Sequence, residues 1–138
     1  MLLVPTYLSQ SSIHGVGLFA KEDIRAGTII WEFTPHFDVR VPISNVRNSP
    51  ANIKDFLSHY AYLPHDNPDH YVICMDNARF INHSDNPNTD DTTGLTIANK
   101  DIKRGEEIVS NYAEFDAEFE SISSRHRLSS IQSAIKVG

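Results

Sequence analysis

Cysteine is nearly absent from this chain of 138 residues, and Cys74 stands alone. A single thiol excludes an intrachain disulfide and any zinc cluster built on cysteines, and it fits a reducing, intracellular setting. Long apolar runs are also missing: nothing approaches the ~20 residues that cross a bilayer, so no membrane partner is expected. The first ten residues, MLLVPTYLSQ, hold neither a basic leader nor an extended apolar stretch, so a secretory signal is not expected and a soluble protein is. Positive charge is scarce, with 12 Lys and Arg against 18 Asp and Glu and a formal charge of -6. Direct binding of nucleic acid needs a basic surface, which this balance argues against; a basic partner, such as a lysine-rich tail, is compatible with it.

What the chain does contain is ordinary in bulk and specific in detail. Its length suits one domain with its own core, and 40% hydrophobic with 22% charged residues is typical of a globular protein. Residues 2–8 are apolar but broken by Pro5, which suits a short edge strand. Thr28 to Phe33 (TIIWEF) has the β-branched and aromatic content of a strand. Residues 34–50, with Pro35, Pro42 and Pro50, read as loop. Ser49 and Pro50 predict the cap and first position of a short helix over about 50–60, with Ile53, Phe56, Leu57 and Tyr60 at helical spacing. Pro64 to His70 carries two His and two Asp, but no further ligand pattern points there, so it reads as a solvated turn. Tyr71–Met75, Gly94–Asn99 and Glu107–Asn111 are expected strands. After them, Phe115, Phe119, Ile122, Ile131 and Ile135 keep roughly helical spacing, which predicts a helical segment over 114–138 packed on a domain of residues 1–113.

Two features go beyond bulk pattern. Ala20, Asp23, Ile24, Gly27 and Ile30 recur in the same spacing as Ala98, Asp101, Ile102, Gly105 and Ile108, which predicts two similar strand-turn-strand units in one mostly β fold. Three separated stretches, polar or glycine-bearing, also stand out: IHGVGLFA (13–20), RFINHSDNPN (79–88) and GEEIVSNYAEF (105–115). Asn82, Asn86, Pro87 and Asn88 are turn chemistry, yet a plain surface turn needs neither Arg79 nor His83. Gly15 and Gly17 around Val16 predict a tight turn or a close approach by another group. A dinucleotide fingerprint would want a third glycine and a following helix, and neither is present.

Taken jointly and in this order, the three stretches resemble the SET-domain protein lysine methyltransferases, over about residues 10–115. The resemblance implies a fold of small, curved β-sheets with a knot-like core, in which RFINHS passes beneath a loop made by the final strand, and a C-terminal helical cap. It implies S-adenosyl-L-methionine held by His14, Gly15, Val16, Gly17, Arg79, Asn82 and His83, and Tyr112 as catalytic tyrosine. Its substrate would be a lysine in a histone or other basic protein. Two departures from the family pattern matter. Asp85 stands where many members carry a zinc-ligating cysteine, and no later cysteine exists, so a zinc-free form is expected. Asn111 stands where Asp often precedes the tyrosine. With zinc gone, the tail is nominated to cover the adenine, through Phe115 and Phe119. Tyr60, Tyr62, Tyr71 and the small Ser110 are candidates for the lysine channel. Glu114, Asp116, Glu118 and Glu120 follow the tyrosine closely and would attract a basic peptide, or simply form a solvated face. Two other classes compete: a degenerate SET-fold binding module without turnover, and an oligomeric scaffold, at its simplest a homodimer joined through the tail.

Overall fold

The computed structural model describes residues 1–119 of the chain. In chain order its strands are β1 (Thr6–Gln10), β2 (Val16–Ala20), β3 (Ile29–Trp31), β4 (Val39–Pro42), β5 (Ala61–Tyr62), β6 (His70–Ile73), β7 (Asn82–His83), β8 (Thr89–Asp90), β9 (Thr96–Ala98) and β10 (Glu107–Ser110). The helices are α1 (Ile43–Arg47) and α2 (Ala51–Tyr60), with 3₁₀ turns at Asn77–Phe80 and Tyr112–Glu114. Three small sheets result, ordered β1-β2-β10-β7, β3-β9-β8 and β4-β6-β5. β7 runs parallel to β10, pairing Asn82 with Val109 and His83 with Ser110; the other pairings within these sheets are antiparallel.

The sequence repeat is the centre of the fold. Ala20, Ile24, Ile30, Ala98, Ile102 and Ile108 bury together around Leu18, so both copies contribute their apolar positions to one cluster. The two turns also bond each other reciprocally. The Ile24 N–H donates to the Ile102 carbonyl at 2.7 Å and the Ile102 N–H to the Ile24 carbonyl at 2.8 Å. Gly27 N–H donates to Ala98, and Gly105 N–H to Ala20. Both glycines take positive φ, +87° and +86°, where a Cβ would be strained. Each Asp reaches across as well: Asp101 Oδ1 accepts from the Ala26 N–H and Asp23 Oδ1 from the Arg104 N–H, both at 2.9 Å. The repeated Ala-x-x-Asp-Ile-x-x-Gly pattern is therefore one interface seen from its two sides.

Several boundaries differ from the expectation. The edge strand begins at Thr6, not Leu2, because Pro5 has no N–H to give the ladder; Leu2 instead forms an isolated bridge to Trp31. Residues 34–50 are not all loop: β4 and α1 lie there, both too short to leave a periodic signal. Ser49 does not cap α2. Its Oγ donates to the Asn45 carbonyl and closes α1, and Pro50 occupies the cap position. The expected helical segment over 114–138 falls largely outside the described residues, including Glu120, Ile122, Ile131 and Ile135. Among the described residues no helix is long and apolar enough to cross a membrane.

Because each Asp of the repeat holds one backbone N–H of the opposite copy, Asp23→Ala and Asp101→Ala should destabilise the fold by similar amounts, about 1 kcal/mol each. Urea unfolding of the two variants measures this. A loss in one variant and none in the other would contradict the reciprocal arrangement.

Candidate active site

The Gly-Val-Gly turn, β7 and β10 meet at one end of the four-stranded sheet. Asn82 is buried there, and its Nδ2 donates to the His14 carbonyl (3.0 Å), the Val16 carbonyl (3.4 Å) and Glu107 Oε1 (3.1 Å). Gly17 lies so close to Glu107 that a Cβ would sit 1.9 Å from Oε1. A side chain at Gly17 would have to displace the Glu107 carboxylate from its bond with Asn82. Gly15 is different: its φ is +47° and nothing lies within 4 Å of the position a Cβ would take. His14 and Val16 are exposed beside it, so the turn presents open backbone.

His83 follows Asn82 on β7. Its Nδ1 accepts from the Tyr112 N–H at 3.2 Å, which places the ring proton on Nε2, where it donates to Asp85 Oδ1 at 2.9 Å. Asp85 thus steadies the imidazole. The His83 ring meets Tyr112 edge-on at 5.3 Å and Phe119 at 4.6 Å between centroids. Phe115 packs between Tyr112 (5.5 Å) and Tyr62 (5.0 Å). Phe115 and Phe119 therefore flank the tyrosine itself.

Beside Tyr112 opens a cavity of about 860 Å³, which Phe119 also lines. Tyr60, Tyr62, Arg79, Ser110, Tyr112 and Phe115 lie in its wall. The Tyr112 hydroxyl donates to the Ile81 carbonyl, so its proton is committed and its lone pairs are left to face outward. Ile81 is fixed by the 3₁₀ turn before it, which Asp76 caps by accepting from the Ala78 N–H. The Arg79 guanidinium is exposed and lies 5.4 Å from the Tyr60 ring centroid.

One wall of the cavity is polar and buried. Asp91 is 6% exposed; its Oδ2 accepts from Thr89 Oγ1 at 3.0 Å, and its Oδ1 accepts from Thr96 Oγ1. Thr89 Oγ1 also lies 2.8 Å from Ser110 Oγ. The Asp91 N–H donates to Glu114 Oε2 at 2.8 Å. The acidic run after Tyr112 serves the same kind of role. Asp116 accepts from the Leu63 and Glu118 N–H groups, and Glu118 accepts from the Tyr71 hydroxyl. These carboxylates clasp the segment after Tyr112 onto the domain, and Glu114 and Asp116 also line the cavity.

The structure thus gathers the expected residues into two groups that share Tyr112. His14, Gly15, Val16, Gly17, Asn82 and His83 form the turn side, and Tyr60, Tyr62, Arg79, Ser110 and Phe115 the cavity side. Tyr71 joins neither, being turned to Glu118. In the loop over 64–70, His65 Nε2 lies 3.0 Å from the Ala113 carbonyl and tethers the loop to the tyrosine segment. Among the described residues no group of three or more His, Cys, Asp or Glu is placed to hold a metal. Glu107, Asp91 and the Ile81 carbonyl are the site groups the sequence analysis missed. An acid in a polar run, or a main-chain oxygen, carries no signature before its neighbours are known.

With this geometry in hand, the comparisons are informative. The SET-domain family model matches residues 15–113. The chain is 33% identical over 123 residues to the Drosophila melanogaster histone-lysine N-methyltransferase trr, covering 83% of this chain and 5% of that protein. A Plasmodium falciparum chain crystallised as a candidate histone methyltransferase superimposes with a TM-score of 0.56 at 22% identity, covering 80% of this chain and 95% of that one. A humanised Chaetomium thermophilum Polycomb Repressive Complex 2 bound to the inhibitor GSK126 gives a TM-score of 0.58 at 26% identity, covering 83% of this chain and 15% of that one. The chain therefore spans a small part of the fruit-fly and Chaetomium relatives and nearly the whole of the Plasmodium chain.

Three half-buried phenols and one buried thiol set an alkaline limit on stability. Burial, with Asp116 nearby, pushes the Tyr112 phenol up to about 12. Burial and the bond to Glu118 do the same for Tyr71, and burial with Asp38 pushes the Cys74 thiol up to about 12. Tyr62 moves in the same direction through burial. The unfolded chain releases these protons first, near 9.0 for the thiol and 10.0 for the phenols. Their contribution is complete below about pH 9 and is lost as pH rises towards about 12. Urea midpoints should fall steadily across that window, and less steeply in Tyr112→Phe. A midpoint that holds level through the window would contradict the burial argument.

Proposed function

The chain belongs to the SET-domain family, and on that premise we propose that it transfers a methyl group from S-adenosyl-L-methionine to the side-chain amine of a lysine in a basic protein. The observation that carries this reading is the position of the Tyr112 hydroxyl, held by the Ile81 carbonyl in the cavity wall while its own backbone is tied to His83 on the turn side.

The residues present fit the donor. The open space over Gly15 and the exposed His14 and Val16 backbone offer a cradle beside β7. Asn82 fixes that cradle from below through its amide. His83 and Phe119, 4.6 Å apart between ring centroids, supply aromatic surface beside it. When bound, the donor supplies an electrophilic methyl on a sulfonium sulfur.

The chain's own groups supply alignment. A polarised methyl is held by oxygen acceptors through weak C–H···O contacts, and Tyr112 Oη and Ile81 O are two such oxygens bonded to each other. Their spacing is fixed before any ligand arrives, which is the advantage of a preorganised site. The amine must attack as a neutral group. A free lysine has a pKa near ~10.4, so deprotonation near pH 7 costs about 4–5 kcal/mol. An apolar enclosure such as that formed by Tyr60, Tyr62 and Phe115 lowers this cost by disfavouring the ammonium. The net negative charge favours a basic partner, and a histone is one such protein.

Incubation with methyl-labelled S-adenosyl-L-methionine and a pool of basic proteins tests the reading. Labelled lysine is expected, and Tyr112→Phe should lower the rate by about 10²-fold while leaving donor affinity nearly unchanged. Donor binding without labelled lysine would overturn turnover and leave a binding module. Absence of donor binding would overturn the proposal altogether.

A further inference from the structure

The buried carboxyl of Asp91 has no role in the account so far. Among the described residues no Lys, Arg or His pairs with it, and its neighbours are the hydroxyls of Thr89, Thr96 and Ser110. An unpaired buried acid is costly, so its retention in the wall of a cavity needs a reason. The same wall holds a polar atom with no partner at all. Trp31, 5% exposed, pairs with Thr96 across β3 and β9, and its Nε1 has no hydrogen-bond partner. A carboxyl without a cation and an indole N–H without an acceptor mark this wall as a place for a polar guest.

Asp91 is also tied twice to the segment that carries Tyr112. Thr89 links it to Ser110, two residues before the tyrosine, and its own N–H is held by Glu114, two residues after it. Thr89 has one proton and three oxygens within reach, Asp91 Oδ2 and the Val109 carbonyl, each at 3.0 Å, and Ser110 Oγ at 2.8 Å. When Thr89 donates to Asp91, the carboxyl is stable as an anion. When Thr89 turns to Val109, Asp91 Oδ2 can keep its bond only by carrying a proton and donating it. The network accommodates both states with one hydroxyl rotation.

We propose that the Asp91 carboxylate takes the proton of the substrate ammonium inside the cavity, so that the amine reaches Tyr112 neutral. This rests on the lysine-methylating reading above. One N–H bond of the ammonium breaks and one O–H bond forms on Asp91. A cation and an anion become a neutral amine and a neutral acid, and the proton later leaves to solvent through the open mouth of the cavity. Burial drives this transfer, because the same buried wall disfavours both charges. It raises the Asp91 pKa against the hydroxyls of Thr96, Ser110 and Thr89, with Glu114 adding to the rise. The other titratable groups coupled to it, Tyr62 and Cys74, stay protonated at neutral pH because burial raises both.

The test uses the full chain and Asp91→Asn, whose amide fills the same space. Donor affinity and thermal midpoint should stay near those of the parent. At about pH 7 the variant's kcat/KM should fall about 10²-fold, then recover towards the parent by up to about tenfold per pH unit as solvent takes over deprotonation. A loss that is the same at every pH would mark a merely structural residue, and no loss would also overturn the proposal. A second readout needs no turnover. The carboxyl of Asp91, followed by carbon NMR in the parent without donor, should change its titration midpoint when a lysine peptide is added and not with a norleucine peptide. A midpoint indifferent to the lysine peptide would overturn the proposal even if Asp91→Asn fails to fold. If the parent shows this titration but transfers no methyl, the methyl-transfer reading fails and the proton acceptor stands. If the parent transfers methyl and Asp91→Asn is indistinguishable from it, only the acceptor fails.

Discussion

The parallel pairing of Asn82–His83 with Val109–Ser110 is the contact on which the rest depends. Two residues of each strand suffice, but their consequences spread in both directions. Through Ile108 and Leu18 the pair is continuous with the buried cluster of the repeat. Through His83 and Tyr112 it sets the distance between the Gly-Val-Gly turn and the cavity. A register slip of one residue would turn Ser110 out of the wall and carry His83 away from the Tyr112 N–H. So short a parallel pair is weak alone, and it is held by what flanks it. Asn88 brackets β10, donating from Nδ2 to the Glu107 carbonyl and accepting from the Val109 N–H. Asn82 anchors the other side.

The parts of the site that were legible in the sequence are those lying in the three motifs that together resemble the SET-domain family. Arg79, Asn82 and His83 in a polar stretch, glycines flanking Val16, and a tyrosine closing the last strand form such a set. The repeated Ala-x-x-Asp-Ile-x-x-Gly was visible too, although its meaning as one reciprocal interface was not. Sequence spacing shows that two turns are alike and does not show that they face each other. β4 and α1 were illegible because their existence is set by pairing with β6 and by the Ile43 N–H donating to the Asp69 carbonyl, not by any local periodicity.

Asp91 and Glu107 were illegible for a related reason. Each is an acid in a run of polar residues, where the ordinary expectation is solvent. Asp91 is buried by Thr89 and Thr96 from neighbouring strands and by Ser110 from a third, so its burial is a property of the sheet edges meeting there. Gly17 was noticed as a position of close approach, and the approaching group proved to be the chain's own Glu107. Ser110 is small, and its hydroxyl matters as much as its size, since it joins Thr89 and Asp91 to the strand that ends two residues before Tyr112.

On the proposed function two ligands reach Tyr112 by separate routes, the methyl donor from the Gly-Val-Gly turn and the lysine from the cavity. Amide chemical shifts, followed as S-adenosyl-L-methionine and a lysine peptide are added separately, test it most directly. The donor should move Gly15, Val16 and His83, the peptide should move Tyr60, Tyr62 and Ser110, and Tyr112 should respond to both. A donor that leaves Gly15 to Gly17 and Tyr112 unmoved, or a peptide whose shifts all lie away from the cavity, would contradict it.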